Sequence, residues 1–114
     1  MDIHVITIFP EMFAPFLELG IIGRARRAGL VEVRVHALRD YTHDRHKSVN
    51  DSPFGGGPGM VMRPEPLFEA LDAIGPVACT PVLVMTPQGK PYTQRDAERL
   101  SGSGSLVIIC GRYE

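Results

Sequence analysis

Two segments of this chain have the composition expected of ligand-binding loops in an α/β protein. Thr-Pro-Gln-Gly at 86–89 follows an apolar run that ends at Met85, and Gly-Arg-Tyr-Glu at 111–114 follows one that ends at Cys110. Glycine lets a backbone approach a ligand closely, and exposed backbone N–H and C=O groups can recognise an adenine edge. If the two strands are neighbours, both loops open at the same edge of the sheet.

A third segment, at 50–59, reads Asn-Asp-Ser-Pro-Phe-Gly-Gly-Gly-Pro-Gly and can be neither a helix nor a central strand. It lacks the Gly-x-Gly-x-x-Gly spacing of a dinucleotide site and the Gly-Lys-Ser/Thr of a phosphate-binding loop. These absences argue against a dinucleotide dehydrogenase and an NTPase. Periodicity is lost from Leu38 to Arg63, and such a long irregular segment is usually functional or disordered.

Histidines and cysteines give no metal signature. His43 and His46 are three residues apart, but no third ligand follows at a recognisable spacing, and Arg45 and Lys47 would repel a cation. We expect these histidines to hydrogen-bond backbone or phosphate, and we predict no metal site. The two cysteines form no Cys-x-x-Cys motif, and Cys110 is expected to be a small buried hydrophobe.

Positive charge is concentrated in one stretch of the sequence. Between Arg24 and Lys47 there are seven basic and three acidic residues, although the whole chain has a net charge of −1. Such a cluster suits contact with a polyanion such as RNA. A solvated helix face followed by a strand edge would give the same pattern, and the charge alone favours that simpler interpretation.

Hydrophobic periodicity predicts the elements that position these segments. Apolar or alternating runs predict strands at 3–9, 31–37, 81–85 and 106–110, and helical spacing predicts helices at 11–19, 21–28, 64–74 and 94–101. Gly29 is expected to end the second helix, and Thr93 with Asp96 to form a capping box at the start of the last one. Met12, Phe13 and Phe16 are expected to lie in the core. The order predicts an α/β domain with a mainly parallel sheet and helices on both faces.

Composition supports one soluble domain or part of one. The chain has 114 residues, of which 44% are hydrophobic and 22% charged, which excludes a disordered or collagen-like chain. No apolar run approaches the roughly 20 residues of a membrane span, and no signal peptide is recognisable. We therefore expect a cytoplasmic protein.

Six segments together closely resemble the bacterial tRNA (guanine-N1)-methyltransferases, the TrmD family. Their order and spacing match from the first strand to the last residue. The segments are Ile-Phe-Pro-Glu-Met-Phe at 8–13, Gly-Arg-Ala at 23–25, Tyr-Thr-His-Asp-Arg-His at 41–46, Asp-Ser-Pro-Phe-Gly-Gly-Gly-Pro-Gly-Met at 51–60, Thr-Pro-Gln-Gly at 86–89 and Gly-Arg-Tyr-Glu at 111–114.

The resemblance implies a SPOUT fold, in which S-adenosylmethionine binds in a trefoil knot of a homodimer. The substrate would be tRNA, methylated at N1 of the guanine 3′ of the anticodon. Arg24, Asp51 and Gly59 would face the tRNA. The implied cofactor-binding residues are Met85, Thr86, Pro87, Gln88, Gly89, Gly111, Tyr113 and Glu114.

The resemblance also implies that residues 1–114 are the N-terminal part of the cofactor-binding SPOUT domain, without the C-terminal tRNA-binding domain. The catalytic Asp of the family, its assisting Arg and the third knot-forming stretch are expected beyond Glu114, so we expect no catalytic residue in this chain and no methylation by it alone. Asn50 stands where relatives are expected to have an acid, and Thr86 where they are expected to have Ser.

Two alternatives remain at this point. The chain could be a non-catalytic RNA-binding module that uses the basic stretch from Arg24 to Lys47 and no cofactor. It could also be an α/β domain for another nucleotide, although the missing phosphate motifs disfavour this.

Overall fold

Four parallel strands form one sheet in the computed structural model, which describes residues 1–43, 50–51, 61–75 and 79–111. The helices lie on both faces of this sheet, as the sequence predicts. The strands are β1 (Asp2–Thr7), β2 (Glu32–Ala37), β3 (Asn50–Asp51), β4 (Val61–Met62), β5 (Val82–Met85) and β6 (Ser105–Cys110); the helices are α1 (Ala14–Glu18), α2 (Gly20–Arg27), α3 (Pro64–Ile74) and α4 (Gln94–Ser101), with 3₁₀ helices at Pro10–Met12 and Leu38–Tyr41.

The sheet has the strand order β2-β1-β6-β5, so β1 and β6 are the inner strands and β2 and β5 the edges. Asp2 of β1 lies opposite Glu32 of β2 and opposite Ser105 of β6. β6 also pairs in parallel with β5, and Met85 lies opposite Cys110. All three pairings are parallel because a helix-containing crossover separates each pair of neighbouring strands in the sequence.

The core lies between the sheet and α3. Ile6, Val107 and Ile109 project from one face of β1 and β6, and they form a buried cluster with Ile8, Leu38 and Ala70. Leu67, Leu71 and Ile74 of α3 pack against this cluster. Their i, i+4 and i+7 spacing places them on one side of the helix, which explains why the helix predicted at 64–74 forms with these bounds.

On the opposite face, α1 and α2 leave part of the sheet open. A cavity of about 390 Å³ lies between Val5 and Val33 of the sheet and Phe13, Leu17 and Ile21. The expectation that the Met12, Phe13 and Phe16 stripe is core is wrong for two of its members, since Met12 is 62% and Phe16 69% exposed.

The reason is a break in the predicted helix at 11–19. Pro10–Met12 forms a 3₁₀ helix, α1 has only five residues, and Gly20 has a φ of 65°. The positive φ turns the chain into α2, so apolar residues from three short segments cannot share one continuous stripe toward the sheet.

Local capping signals predict the other helix ends well. Gly29 and Gly75 have φ angles of 76° and 67° after α2 and α3, as expected of left-handed C-terminal caps. Thr93 and Asp96 form the predicted capping box, with the Thr93 Oγ1 accepting from the Asp96 backbone N–H. β1 ends at Thr7, two residues earlier than predicted. The Phe9 N–H donates to the Thr7 hydroxyl and not to a carbonyl of a neighbouring strand.

The segment predicted to be irregular from Leu38 to Arg63 contains some regular structure. Leu38–Tyr41 forms a 3₁₀ helix with Leu38 fully buried. β3 and β4 pair in antiparallel fashion and bring the two ends of the glycine-rich segment together. Residues 44–49 and 52–60 lie outside the described residues. No helix in the described part of the chain is long and apolar enough to cross a membrane.

The contact between α1 and α2 generates a stability prediction. A Cβ on Gly23 would lie 2.6 Å from the carbonyl carbon of Glu18, because the two helices approach closely there. Backbone cannot move aside cheaply, so Gly23→Ala should lower the free energy of unfolding of the full-length protein by about 1–3 kcal/mol. Urea denaturation followed by circular dichroism measures this change.

Gly104→Ala is the matched control, because a Cβ there meets nothing within 4 Å. It should change the free energy of unfolding by less than about 0.5 kcal/mol. Equal stability of the two variants would contradict the close approach of α1 and α2.

Candidate functional site

The carboxyl edge of the sheet brings together the two loops that the sequence singled out. Met85 and Cys110 are paired residues at the ends of β5 and β6, so the chain leaves the sheet at 86 and 111 side by side. Thr7, the last residue of β1, lies on the other side of Cys110. The condition that the two strands be neighbours is therefore met, and this edge is where open α/β sheets bind ligands.

The loop at 86–89 is a turn stabilised by Thr86. Its hydroxyl accepts a hydrogen bond of 3.2 Å from the Gln88 N–H, and its carbonyl accepts one of 3.4 Å from the Gly89 N–H. Pro87, Gln88 and Gly89 are exposed, whereas Thr86 is half-buried. The turn thus presents three exposed residues at the edge while its own hydrogen bonds restrict its shape.

A cavity of about 480 Å³ lies beside this turn, between β5 and α4. Four of the five residues predicted at the first cofactor wall line it, namely Met85, Thr86, Pro87 and Gly89, and Gln88 does not. Lys90, Tyr92 and Arg99 also line this cavity, and the sequence reasoning did not single them out. The capping box at Thr93 could have indicated these residues, because it places the start of α4 directly after this loop.

Gly111 lies in a different cavity. This second space of about 260 Å³ is bounded by Thr7, Phe9, Phe16 and Cys110, on the other side of β6. The described residues therefore place the turn at 86–89 and Gly111 at the same edge, yet they do not enclose them in one cavity. Tyr113 and Glu114, the other members of the second predicted wall, lie outside the described residues.

Asp96 and Cys110, beside these two cavities, are respectively a poor proton acceptor and a poor nucleophile. Hydrogen bonds from the backbone and hydroxyl of Thr93, followed by one from Arg99, hold the pKa of Asp96 below its usual value. Burial raises the pKa of the Cys110 thiol. Asp96 is thus occupied as a helix cap, and Cys110 stays protonated, which suits binding at this edge better than acid–base catalysis by these two groups.

The residues predicted to contact RNA all precede the two loops in the sequence. Arg24 is exposed on α2, and none of the described residues forms a hydrogen bond or ion pair with it. Asp51 pairs with Val61 in the β3–β4 ladder. Gly59 lies outside the described residues.

Neighbouring arginines in the basic stretch have structural partners. An Arg26 guanidinium N–H donates to the Leu17 carbonyl at 2.6 Å, and one of Arg27 donates to the Glu18 carbonyl at 3.1 Å. These two side chains bind carbonyl groups that α1 leaves without helical partners. Arg34 binds the carboxylate of Glu32 at 2.8 Å. The charges of Arg26 and Arg27 remain, but their guanidinium groups are held in place by backbone and are less free to reach a polyanion than the sequence suggests.

His43 has a partner that the sequence did not reveal. Its Nε2 lies 2.7 Å and 2.8 Å from the two carboxylate oxygens of Glu69 on α3. The prediction was a bond to backbone or phosphate, so a carboxylate takes that place within the described residues. His46 lies outside them. Among the described residues, no group of three or more His, Cys, Asp or Glu could hold a metal ion.

Comparison with known proteins places the chain in a family. A family model described as tRNA (Guanine-1)-methyltransferase TrmD matches residues 1–114. A tRNA (guanine-N(1)-)-methyltransferase of Thermobifida fusca is 56% identical to the chain over 117 residues. Proteins with the same description from Salinispora arenicola and Koribacter versatilis are 54% and 51% identical.

The matches cover the whole of this chain but only part of the relatives. All three alignments include 100% of the chain, and they include 44% of the Thermobifida protein and 45% of the other two. The chain thus spans less than half the length of the curated relatives it matches.

The two cysteines provide a chemical test of the carboxyl edge. Cys79 is exposed, whereas Cys110 is half-buried and burial raises its pKa. Since the thiolate is the reactive form, iodoacetamide at pH 8 should alkylate Cys79 at least about tenfold faster than Cys110. Peptide mass spectrometry of a time course measures both rates in the same sample, so Cys79 is the internal control. Equal rates would place Cys110 in an open, hydrated position.

Proposed function

We propose, from the premise that this chain belongs to the tRNA (guanine-1)-methyltransferase TrmD family, that it contributes the methyl-donor half of an enzyme that methylates N1 of guanine in tRNA. The observation that carries the proposal is the juxtaposition of the loops after β5 and β6 at one edge. The names of the relatives, which are tRNA (guanine-N(1)-)-methyltransferases, support the same reaction.

The methyl donor proposed for this edge is S-adenosylmethionine. Met85, Thr86, Pro87, Gln88 and Gly89 would form one wall of its site, and Gly111, Tyr113 and Glu114 the other. The residues present suit such a ligand, because Met85 and Pro87 are apolar and the exposed turn offers backbone groups to an adenine edge. The backbone at Gly89 leaves space for a ligand, since the nearest atom to a Cβ built there would belong to Thr86, 3.5 Å away.

When bound, S-adenosylmethionine supplies a methyl group already activated by its sulfonium. The contribution of this chain is then to orient that ligand and to keep water from it. Aligning the two reactants lowers much of the activation barrier of the methyl transfer. The Thr86 turn would fix one side of the ligand. The proton on guanine N1 needs a base, and we propose that this base lies beyond Glu114, as the family resemblance implies. The two groups at this edge do not suit the role, since Asp96 serves as a helix cap and Cys110 is protonated.

The tRNA would contact Arg24 on α2 and the glycine-rich segment that the β3–β4 ladder closes. Arg24 is the supporting residue, since it is exposed and has no partner among the described residues. The ladder that pairs Asp51 with Val61 fixes the two ends of the glycine-rich segment, and Gly59 belongs to that segment. We propose that this segment faces the target base.

The family features of a trefoil knot and a homodimer are also part of this proposal. The exposed apolar residues on and beside α1 and α2 support a protein partner on that side, since a contiguous apolar surface usually marks an interface. Ile21, Leu19 and Phe16 are 80%, 69% and 69% exposed. A tRNA substrate would also place the enzyme in the cytoplasm.

The reaction itself can be tested directly with the full-length protein. With S-adenosylmethionine and a tRNA transcript that has guanine 3′ of the anticodon, we expect 1-methylguanosine in a nuclease digest analysed by mass spectrometry. A transcript with adenine at that position is the control and should gain no methyl group. Methylation at another guanine atom would refute the proposed reaction. Salt-dependent tRNA binding without any response to S-adenosylhomocysteine would favour a non-catalytic RNA-binding module.

The role of Arg24 can be separated from general electrostatics. Arg24→Ala should weaken tRNA binding about five- to tenfold and reduce the salt slope of the binding constant by about one, as expected for one lost phosphate contact. Arg95→Ala on α4 is the matched control, because Arg95 is also exposed and has no partner among the described residues. It should change the affinity less than about twofold. Equal effects of both substitutions in a filter-binding titration would remove Arg24 from the tRNA site.

A further inference from the structure

Two histidines on neighbouring strands form a direct side-chain contact. The Nδ1 of His4 on β1 lies 3.0 Å from the Nε2 of His36 on β2, and the two rings stack with centroids 5.2 Å apart. In the β1–β2 register His36 lies opposite Ile6, so the two histidines are diagonal neighbours on one face of the sheet. Both are half-buried.

This contact is compatible with only some protonation states. A hydrogen bond between two imidazole nitrogens needs an N–H on one ring and a lone pair on the other. A pair that carries no extra proton or one extra proton satisfies this need. When both rings are protonated, both nitrogens carry hydrogen, the bond is lost and two positive charges face each other.

The surroundings do not offset that repulsion. Burial lowers the pKa of His36, and the positive charges of His4 and Arg34 lower it further. Among the described residues, no carboxylate forms a hydrogen bond or ion pair with either ring. The ionisable residues on these strands and on the elements packed against them are Asp2 on β1, Glu32 and Arg34 on β2, Cys110 on β6, Glu11 in the first 3₁₀ helix, Arg39, Asp40 and Tyr41 in the second, and Glu65, Glu69 and Asp72 on α3.

The histidine pair joins the edge strand β2 to the inner strand β1. β2 is an edge strand and, in the described part of the sheet, it pairs with β1 alone. It continues directly into the 3₁₀ helix at Leu38–Tyr41, whose Leu38 is buried in the core. We propose that His4 and His36 form a pH-sensitive clasp that fastens the edge strand β2 to β1 and loosens it when both rings are protonated.

The direction of the pH dependence follows from the pKa of His36. Its folded value lies below the unfolded value of 6.5, so between these two values the unfolded chain binds more protons than the folded chain. The stability contributed by the clasp is therefore complete above pH 6.5. It decreases as the pH falls toward the lower, folded pKa, and it changes no further below that value.

Hydrogen exchange of the full-length protein tests the clasp at the level of the strand. Exchange into β2 and β5 is measured by mass spectrometry at pH 7.5 and 5.5, with intrinsic rates taken from the unfolded chain. β5 is the internal control, because it is the other edge strand and contains no histidine. Protection of β2 should fall by up to about tenfold between the two pH values, because pH 5.5 lies one unit below the unfolded pKa of His36, while that of β5 changes less than about twofold.

Single substitutions identify the responsible rings. In His36→Gln or His4→Gln, the extra loss of β2 protection at pH 5.5 should disappear, since an amide can hydrogen-bond but does not titrate in this range. His43→Gln is the matched control and should retain it. Equal pH dependence of β2 and β5, or its persistence in both Gln variants, would overturn the proposal.

A titration of the unaltered protein gives a second readout that needs no variant. The imidazole nitrogens of His36, followed by nitrogen NMR, should titrate with a pKa below the usual 6.5, because burial and the neighbouring His4 and Arg34 disfavour the charged ring. A His36 pKa at the ordinary value of 6.5 would refute the clasp. The outcome does not depend on the reaction that the protein catalyses.

Discussion

The pairing of β6 with both β1 and β5 is the constraint on which the core and the candidate site depend. β6 comes last among the six strands, yet it lies inside the sheet, where Val107 is fully buried. The same register places Cys110 opposite Met85, so the loops after β5 and β6 emerge together. A shift by one residue would turn Val107 toward the opposite face and separate the two loops. Core packing therefore fixes the geometry of the site.

Within this sheet, the inner strands supply residues to the core, and the edge strands lead to the segments with proposed functions. β1 and β6 supply Ile6, Val107 and Ile109 to the core. The edge strand β2 leads through Leu38–Tyr41 toward the glycine-rich segment, and the edge strand β5 leads into the turn at 86–89. An edge strand has neighbours on one side only, so it can change position at a lower cost than a central strand. A pH-sensitive contact on β2 would act where the sheet yields most easily.

Local signals in the sequence predicted most elements, because they need no knowledge of the tertiary structure. Gly29 and the Thr93–Asp96 capping box end or begin helices through their own backbone and side-chain bonds. The Met12 and Phe16 expectation failed because burial depends on where the chain turns, and Gly20 turns it after only five residues of α1. The edge shared by the two loops was predictable only on condition that β5 and β6 are neighbours. The His4–His36 contact required the β1–β2 register, which no single strand contains.

The basic stretch shows why a count of charges in a sequence does not reveal which side chains are free to contact a ligand. Arg26 and Arg27 bind the carbonyls of Leu17 and Glu18, and these acceptors are available only because α1 ends where α2 begins. The same short turn that exposes Phe16 thus gives the guanidinium groups of Arg26 and Arg27 a structural role. Arg24, two positions before Arg26 on the same helix, remains exposed. The distribution of charge that an RNA would meet is therefore set by how α1 and α2 pack, and Gly23 is the residue that allows that packing.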